Sequence, residues 1–237
     1  MHHPLASLLL LSASLLPMPA AAGPAASGRT VSVGSFDQLR VEGPFEVRVT
    51  TGSPRATILG DPRVAEGVNI RVDGRTLSVR KGTGGWGEQP RGGGAGPIVV
   101  MLSTPALVAA SVAAGGRLTI DRMRGMRVDT TVGGNASLVL AAAETEQLNA
   151  TVIGTGRMTL AGRVARARLM MNGAGAIDAT ALQVNDLTVH LEGVGEVAAA
   201  ARYTAQVTNT GLGSVTVAGT AKCRVEAAAG GPVTCGR

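Results

Sequence analysis

Glycines arranged as GG or GxG recur down the C-terminal half of the chain about once every twenty residues. They are Gly115 and Gly116, Gly133 and Gly134, Gly154 and Gly156, Gly173 and Gly175, Gly193 and Gly195, Gly211 and Gly213, and Gly230 and Gly231. First-glycine spacings are 18, 21, 19, 20, 18 and 19. A period of this size is the signature of a solenoid, in which each repeat is one supersecondary unit stacked on the last. Solenoids offer long binding faces, and a glycine pair performs no chemistry. The repeat therefore constrains architecture far more than activity.

Placing the second glycine of each pair at position zero brings the repeats into register. Apolar residues then alternate on both sides of the turn, as in Leu187/Val189/Leu191 before it and Val197/Ala199 after it. In the second repeat the same frame points Met126, Val128 and Thr130 inward before the turn, and Ala136 and Leu138 after it. In the last repeat it points Cys223, Val225 and Ala227 inward, with Val233 and Cys235 opposite. Each period is thus a strand, a sharp glycine turn and a second strand, one face of each turned inward. A short third side of six to nine residues returns the chain to the next repeat. Positive φ at the bend and crowding by the neighbouring coil both call for glycine. An antiparallel meander would need a hairpin after every strand, so one sharp turn per period favours parallel stacked coils, a β-helix of about 20 residues per coil.

Upstream of the repeats the pattern is strand-rich. Leu39, Val41, Phe45, Val47 and Val49 alternate with polar residues, broken at Gly43-Pro44. Val68–Val72 and Thr76–Arg80 flank Asp73-Gly74-Arg75, a hairpin with an Asp-Gly turn. Residues 82–97 read as a flexible glycine-rich loop carrying Trp86, either a contact residue or a cover for the core. The expected organisation is a signal peptide over 1–22, a linker over 23–35 and one β-helical domain over 36–237 with a hairpin-rich N-terminal cap.

The first residues carry the export reading. Leu5–Leu16 is apolar, Pro17 and Pro19 break the run, and Ala20-Ala21-Ala22 supplies an A-x-A site. The run is too short to span a bilayer, and no later segment approaches about 18 uninterrupted apolar residues. Export to the periplasm, cell surface or medium is the expectation, with no transmembrane segment in the mature chain. Aromatics are only 2%, so the core must be built from small and branched side chains. The formal charge of +6 suits an anionic glycan or lipid head group, or serves solubility alone. Export argues against a nucleic-acid partner.

Cys223 and Cys235 fall at positions minus eight and plus four of the last repeat, facing each other across the core. An oxidising compartment makes a disulfide clamping the last coil the expectation, with two buried thiols as the alternative. Closing a loop of this size contributes on the order of 3 kcal/mol.

Chemistry is harder to find. Arg122, Arg124, Arg163, Arg166, Arg202 and Lys222 fall on the third side, a basic stripe for anionic polysaccharide or a solvated edge. Glu192 and Glu196 straddle a turn, and only they come near the paired carboxylates of a glycosidase; residues flanking a sharp turn usually face solvent. His190 is the one histidine outside the signal, and no metal cluster, catalytic triad or phosphate loop is visible. No cofactor is implied. The reading is a non-enzymatic binding protein, with a self-associating structural protein as the second class and a carbohydrate-active enzyme as the third.

The stretch Phe36-Asp37-Gln38-Leu39-Arg40-Val41-Glu42-Gly43-Pro44-Phe45-Glu46-Val47-Arg48-Val49 resembles the opening of the head GIN domain family, labelled auto-transporter adhesins. Leu59-Gly60-Asp61, Val72–Leu77 and the GxG preceding Arg157–Gly162 resemble it as well, so the likeness runs from Phe36 to Val217. It implies a right-handed parallel β-helix, exported, in a family without established catalytic residues. No site residue is carried over from it.

Overall fold

The computed structural model describes residues 28–61, 65–82 and 98–236. The signal segment, most of the glycine-rich 82–97 segment and Trp86 lie outside the described residues.

The chain is a β-solenoid of stacked parallel strands. Its regular part comprises β8 (Ala109–Ala113), β9 (Arg117–Ile120), β10 (Met123–Gly134), β11 (Ser137–Gly154) and β12 (Arg157–Gly173). It continues through β13 (Ala176–Gly193), β14 (Glu196–Asn209), β15 (Ser214–Gly219), β16 (Lys222–Ala227) and β17 (Val233–Cys235). β11, β12 and β13 each stay extended from one glycine turn to the next, so one strand supplies three sides of a coil.

Two columns of side chains fill the core beside the turn. One runs Val112, Val132, Val152, Met171, Leu191, Asn209 and Ala227. The other runs Leu118, Leu138, Met158, Ile177, Val197, Val215 and Val233. All but the last member of each column are at most 2% exposed. The one polar member, Asn209, spans its own turn: Gly211 N–H donates to its Oδ1 at 3.0 Å, and its Nδ2 donates to Gly213 O at 2.8 Å.

The expectation of positive φ at the turn glycines is corrected at Gly156. Among the described residues at most one glycine of each turn has positive φ, as Gly115 (φ 77) and Gly230 (φ 79) do. Gly156 does not, and it is glycine for lack of space alone. A Cβ there would stand 2.5 Å from Val132 Cγ1 and 2.7 Å from Ala136 O on the neighbouring coil. Gly116 and Gly231 are crowded in the same way, with a Cβ 2.8 Å from Gly43 O and 2.5 Å from Gly211 O respectively.

The ladders also correct the frame of the second repeat. Gly134 sits opposite Gly154, the first glycine of the next pair, and Ser137 sits opposite both Arg117 and Arg157. Ala136, not Gly134, therefore occupies position zero, next to Gly156 in the stack. Gly133, expected in the turn pair, becomes a strand position opposite Ile153. A slip of two residues keeps the same face inward, which is why Val128, Thr130, Ala136 and Leu138 are still buried. Met126 is the casualty: it falls beyond the inward run and is 79% exposed. Val132 and Leu140 complete the true set.

The expected N-terminal cap proves to be partly solenoid. It contains β2 (Gln38–Glu42), β3 (Glu46–Thr51), β4 (Arg55–Leu59), β5 (Val68–Asp73), β6 (Thr76–Lys81) and β7 (Val99–Thr104). β2 pairs in parallel with both β6 and β8, and β3 with both β7 and β9. The β2–β3 coil is thus sandwiched between a coil that follows it in sequence and the first regular repeat. Antiparallel elements close this end: β5 pairs with β6 around Gly74 (φ 57), and β4 pairs with β7. Arg75 in the hairpin turn forms an ion pair with Asp37, tying the hairpin to the start of β2. Gly28–Val31, expected within the linker, forms β1 and pairs with β4. Backbone pairing with an apolar strand decides this over local composition.

The opposite end is different. Every side chain of β16 is exposed, including the inward-facing Val225 at 43%. The expected burial of Cys223, Val225 and Ala227 fails because, among the described residues, no coil lies beyond them. Cys223 and Cys235 form a disulfide across this open mouth, with Cα atoms 6.3 Å apart.

Candidate functional site

A solenoid with its core filled has three outward surfaces. On the first face, before the turn, Asp129, Asn149, Arg168, Thr188, Gln206 and Arg224 form one column. Asn149 Nδ2 donates to Asp129 Oδ1 at 2.7 Å, and Arg127 sits 3.2 Å from the same oxygen. Its neighbour His190 lies between Met170 and Thr208. Arg127, Asp129 and Asn149 thus satisfy one another at the start of a mostly polar ladder.

The second face carries Asp178, whose Oδ1 accepts from both the N–H and the hydroxyl of Thr180, at 3.1 and 2.7 Å. Those bonds, with Arg157 nearby, hold its carboxyl below the usual carboxylate range. The arrangement is a local hydrogen-bonded motif within β13, built on an ionised side chain.

The third side is concave. Its inner layer is Met123, Ala143, Leu182, Val164, Val184 and Ala201, none more than 4% exposed. The ladders slip here, between Leu140 and Ala143, Thr159 and Ala161, and Ala179 and Val184, because successive coils spend different numbers of residues on this side. Gly162 (φ +124) lies so close to the coil above that a Cβ would stand 2.3 Å from Ala143 N. The result is a groove of about 1330 Å³ along the solenoid axis. Small residues, including Gly125, Ala142, Ala165, Ala181, Ala200 and Gly219, form much of its lining. Glu144, Glu146, Arg163, Gln183, Asn185 and Arg202 bring polar groups to it.

The structure separates the six basic residues of the third side. Arg163 and Arg202 line the groove, whereas Arg122, Arg124, Arg166 and Lys222 do not. Arg163 Nε donates to Gln183 Oε1 at 3.2 Å, and the Arg202 guanidinium lies 5.0 Å from the Tyr203 ring centroid. Arg122 is 3.7 Å from Glu144, and Arg124 is the register partner of Glu144. Arg166 is in register with Gln147 and Asp186. Lys222 opens β16. Carboxylates interrupt the stripe, so the groove presents both signs of charge.

Glu192 and Glu196 flank the exposed turn tip Val194 and lie outside this groove. Glu192 Oε2 accepts from Asn172 Nδ2 at 2.9 Å on the preceding coil. Among the described residues no group of three His, Cys, Asp or Glu side chains could hold a metal ion, and no helix is long and apolar enough to cross a membrane. The groove itself escaped the sequence reading. Its trace there is the recurrence of Ala and Gly on the third side, at Ala142, Gly162, Ala181, Ala200 and Gly219.

A family model described as "Putative auto-transporter adhesin, head GIN domain" matches residues 35–221. The fold is similar to that of a putative adhesin from Bacteroides fragilis, with a TM-score of 0.79 and 18% identity over 91% of this chain and 98% of that one. It is also similar to a putative adhesin from Parabacteroides merdae, with a TM-score of 0.64 and 16% identity over 89% of this chain and 94% of that one. A protein from Parabacteroides distasonis titled as a putative lipid binding protein has a TM-score of 0.64 and 15% identity, over 89% of this chain and 93% of that one. At these identities the likeness shows a shared fold. No curated protein matches the chain.

Proposed function

We propose, from the premise that this chain belongs to the head GIN domain family, that it is an exported, non-enzymatic binding protein whose third-side groove receives an extended polysaccharide of the cell envelope. The observation that carries this reading is the groove: open, elongated along the axis, and lined by small residues between polar groups. Coils succeed one another about every 4.8 Å. Polar groups along the groove therefore repeat on the scale of a linear polymer, not of one small metabolite. Thr145, Gln183, Asn185 and Thr220 offer hydroxyl and amide partners suited to sugar hydroxyls. Arg163 and Arg202 suit acidic substituents. Glu192 and Glu196 flank an exposed turn outside the groove, an arrangement that supports binding over glycoside cleavage.

The test is a binding screen against envelope polysaccharides, with lipopolysaccharide and phospholipid vesicles as separate arms. Ala181→Trp fills the groove from its exposed wall and should reduce polysaccharide binding at least about tenfold, the effect of losing a few well-formed contacts. Arg163→Glu with Arg202→Glu should weaken acidic polymers more than neutral ones. Binding unchanged in Ala181→Trp, or confined to vesicles, counts against the proposal.

A further inference from the structure

Among the described residues β16 has a single ladder, to β14, and its other edge is free. In the five preceding coils the residues equivalent to Cys223, Val225 and Ala227 are buried; Ala205, Val207 and Asn209 directly above are at most 2% exposed. The free edge also has a definite polarity. Ala228 N–H donates to Asn209 O at 3.1 Å. Alternate residues of a strand turn their N–H and C=O to opposite neighbours, so Lys222, Arg224 and Glu226 bond to β14. Cys223, Val225 and Ala227 present theirs to the free edge, and their side chains face the open mouth of the core.

We propose that this edge pairs antiparallel with the same edge of a second copy, about a two-fold axis passing through Val225. Antiparallel pairing must oppose free amides to free amides, so the axis must pass through a residue and not between two. An axis through Arg224 sets that residue against itself, and one through Glu226 does the same for the carboxylate. An axis through Cys223 opposes Arg224 to Lys222. Like charges directly opposite are unfavourable in every case. Only the axis through Val225 sets Arg224 against Glu226, and it does so twice. On the core side it sets Val225 against Val225 and Cys223 against Ala227, closing the mouth with apolar groups. Arg224 and Glu226 already lie 3.4 Å apart within one chain, so the pairing completes a ring of four alternating charges.

The partner is therefore a second copy of this chain, and the assembly closes at two. The other end of the solenoid is built differently, since β1, β4 and β5 there run antiparallel to their neighbours. An isologous contact of this kind removes a free parallel edge that would otherwise recruit other strands. It is independent of what the groove binds.

Sedimentation velocity on the chain as isolated from cells, over a range of concentrations and salt, tests the idea. A dimer that weakens with salt is expected. Arg224→Glu replaces two opposite-charge contacts by two like-charge ones and should weaken the dimer by about tenfold or more. The exchange R224E with E226R restores both pairs across the two-fold and should restore the dimer. Intact mass under non-reducing conditions confirms that each variant keeps its disulfide and hence its last coil. A monomer at all concentrations, a dimer indifferent to Arg224→Glu, a charge exchange that fails to rescue, or open-ended polymers would each overturn the proposal.

Discussion

The two positions of a turn do different jobs, and a single pair of substitutions separates them. The first takes positive φ, at Gly134 (φ 66), Gly154 (φ 106), Gly173 (φ 123) and Gly193 (φ 111). The second, as at Gly156 and Gly195, lacks positive φ but has no room: a Cβ on Gly195 would lie 2.7 Å from Gly175 O. At Gly193 both constraints meet, since its Cβ would stand 2.4 Å from Gly173 O. Gly134 has positive φ with nothing within 4 Å, and Ala114, which precedes it in the same column, holds a φ of 56. Gly193→Ala should therefore cost on the order of 3 kcal/mol, from left-handed strain plus overpacking. Gly134→Ala should cost about 1 kcal/mol from strain alone. Denaturant midpoints for the two variants check this, and equal losses would mean that crowding contributes nothing. The distinction explains the misread second repeat. Both glycines look alike in sequence, whereas Ala136 at the crowded position shows that position zero need not be glycine.

At the scale of elements, the strands flanking the turns were legible because alternation and turn occur in fixed register. The position of Cys223 opposite Cys235 follows from that register, and so does the inward placement of Asn209. The third side was not legible. Its length varies between coils, so residues such as Gly162 and Ala181 keep no constant offset from the turn, and concavity arises from the slips themselves. Nor could local patterning reveal that β2–β3 lies between β6–β7 and β8–β9, because long-range pairing alone decides the order. The last coil shows how an element depends on its covalent tie. Its disulfide spans a sequence separation of 12, and with exposed side chains on β16 it has little burial to replace it. Replacing Cys223 and Cys235 by Ser should release about 3 kcal/mol of local stability. Hydrogen exchange should then quicken over residues 222–235 while β13 stays protected. Uniform loss along the chain would show that the bond acts globally.

For the whole molecule the consequence is a one-dimensional gradient of stability with unlike ends. Each coil of a solenoid contacts only its neighbours, so stability is approximately a sum of coil and interface contributions. The N-terminal end is closed by β1, β4 and the β5–β6 hairpin, and the coil that follows β7 in sequence is stitched to β2–β3 across a gap in chain order. Releasing the β2–β3 coil must break ladders on both of its sides. The C-terminal end opens one coil at a time, from β17 and β16 back to β15. Leu191, 0% exposed in a central column, should cost about 2–5 kcal/mol when replaced by Ala. Val233 is only partly buried in the last coil, so Val233→Ala should cost less than about 1.5 kcal/mol and leave β12 and β13 protected. Native-state hydrogen exchange should be measured on R224E, where the free edge is not covered by a second copy. Protection should fall stepwise from β13 through β14 to β16, with no matching decline from β8 towards β2. Fraying that is equal at both ends would mean that the interleaved β2–β3 coil confers no extra cooperativity, and that the molecule behaves as a plain stack.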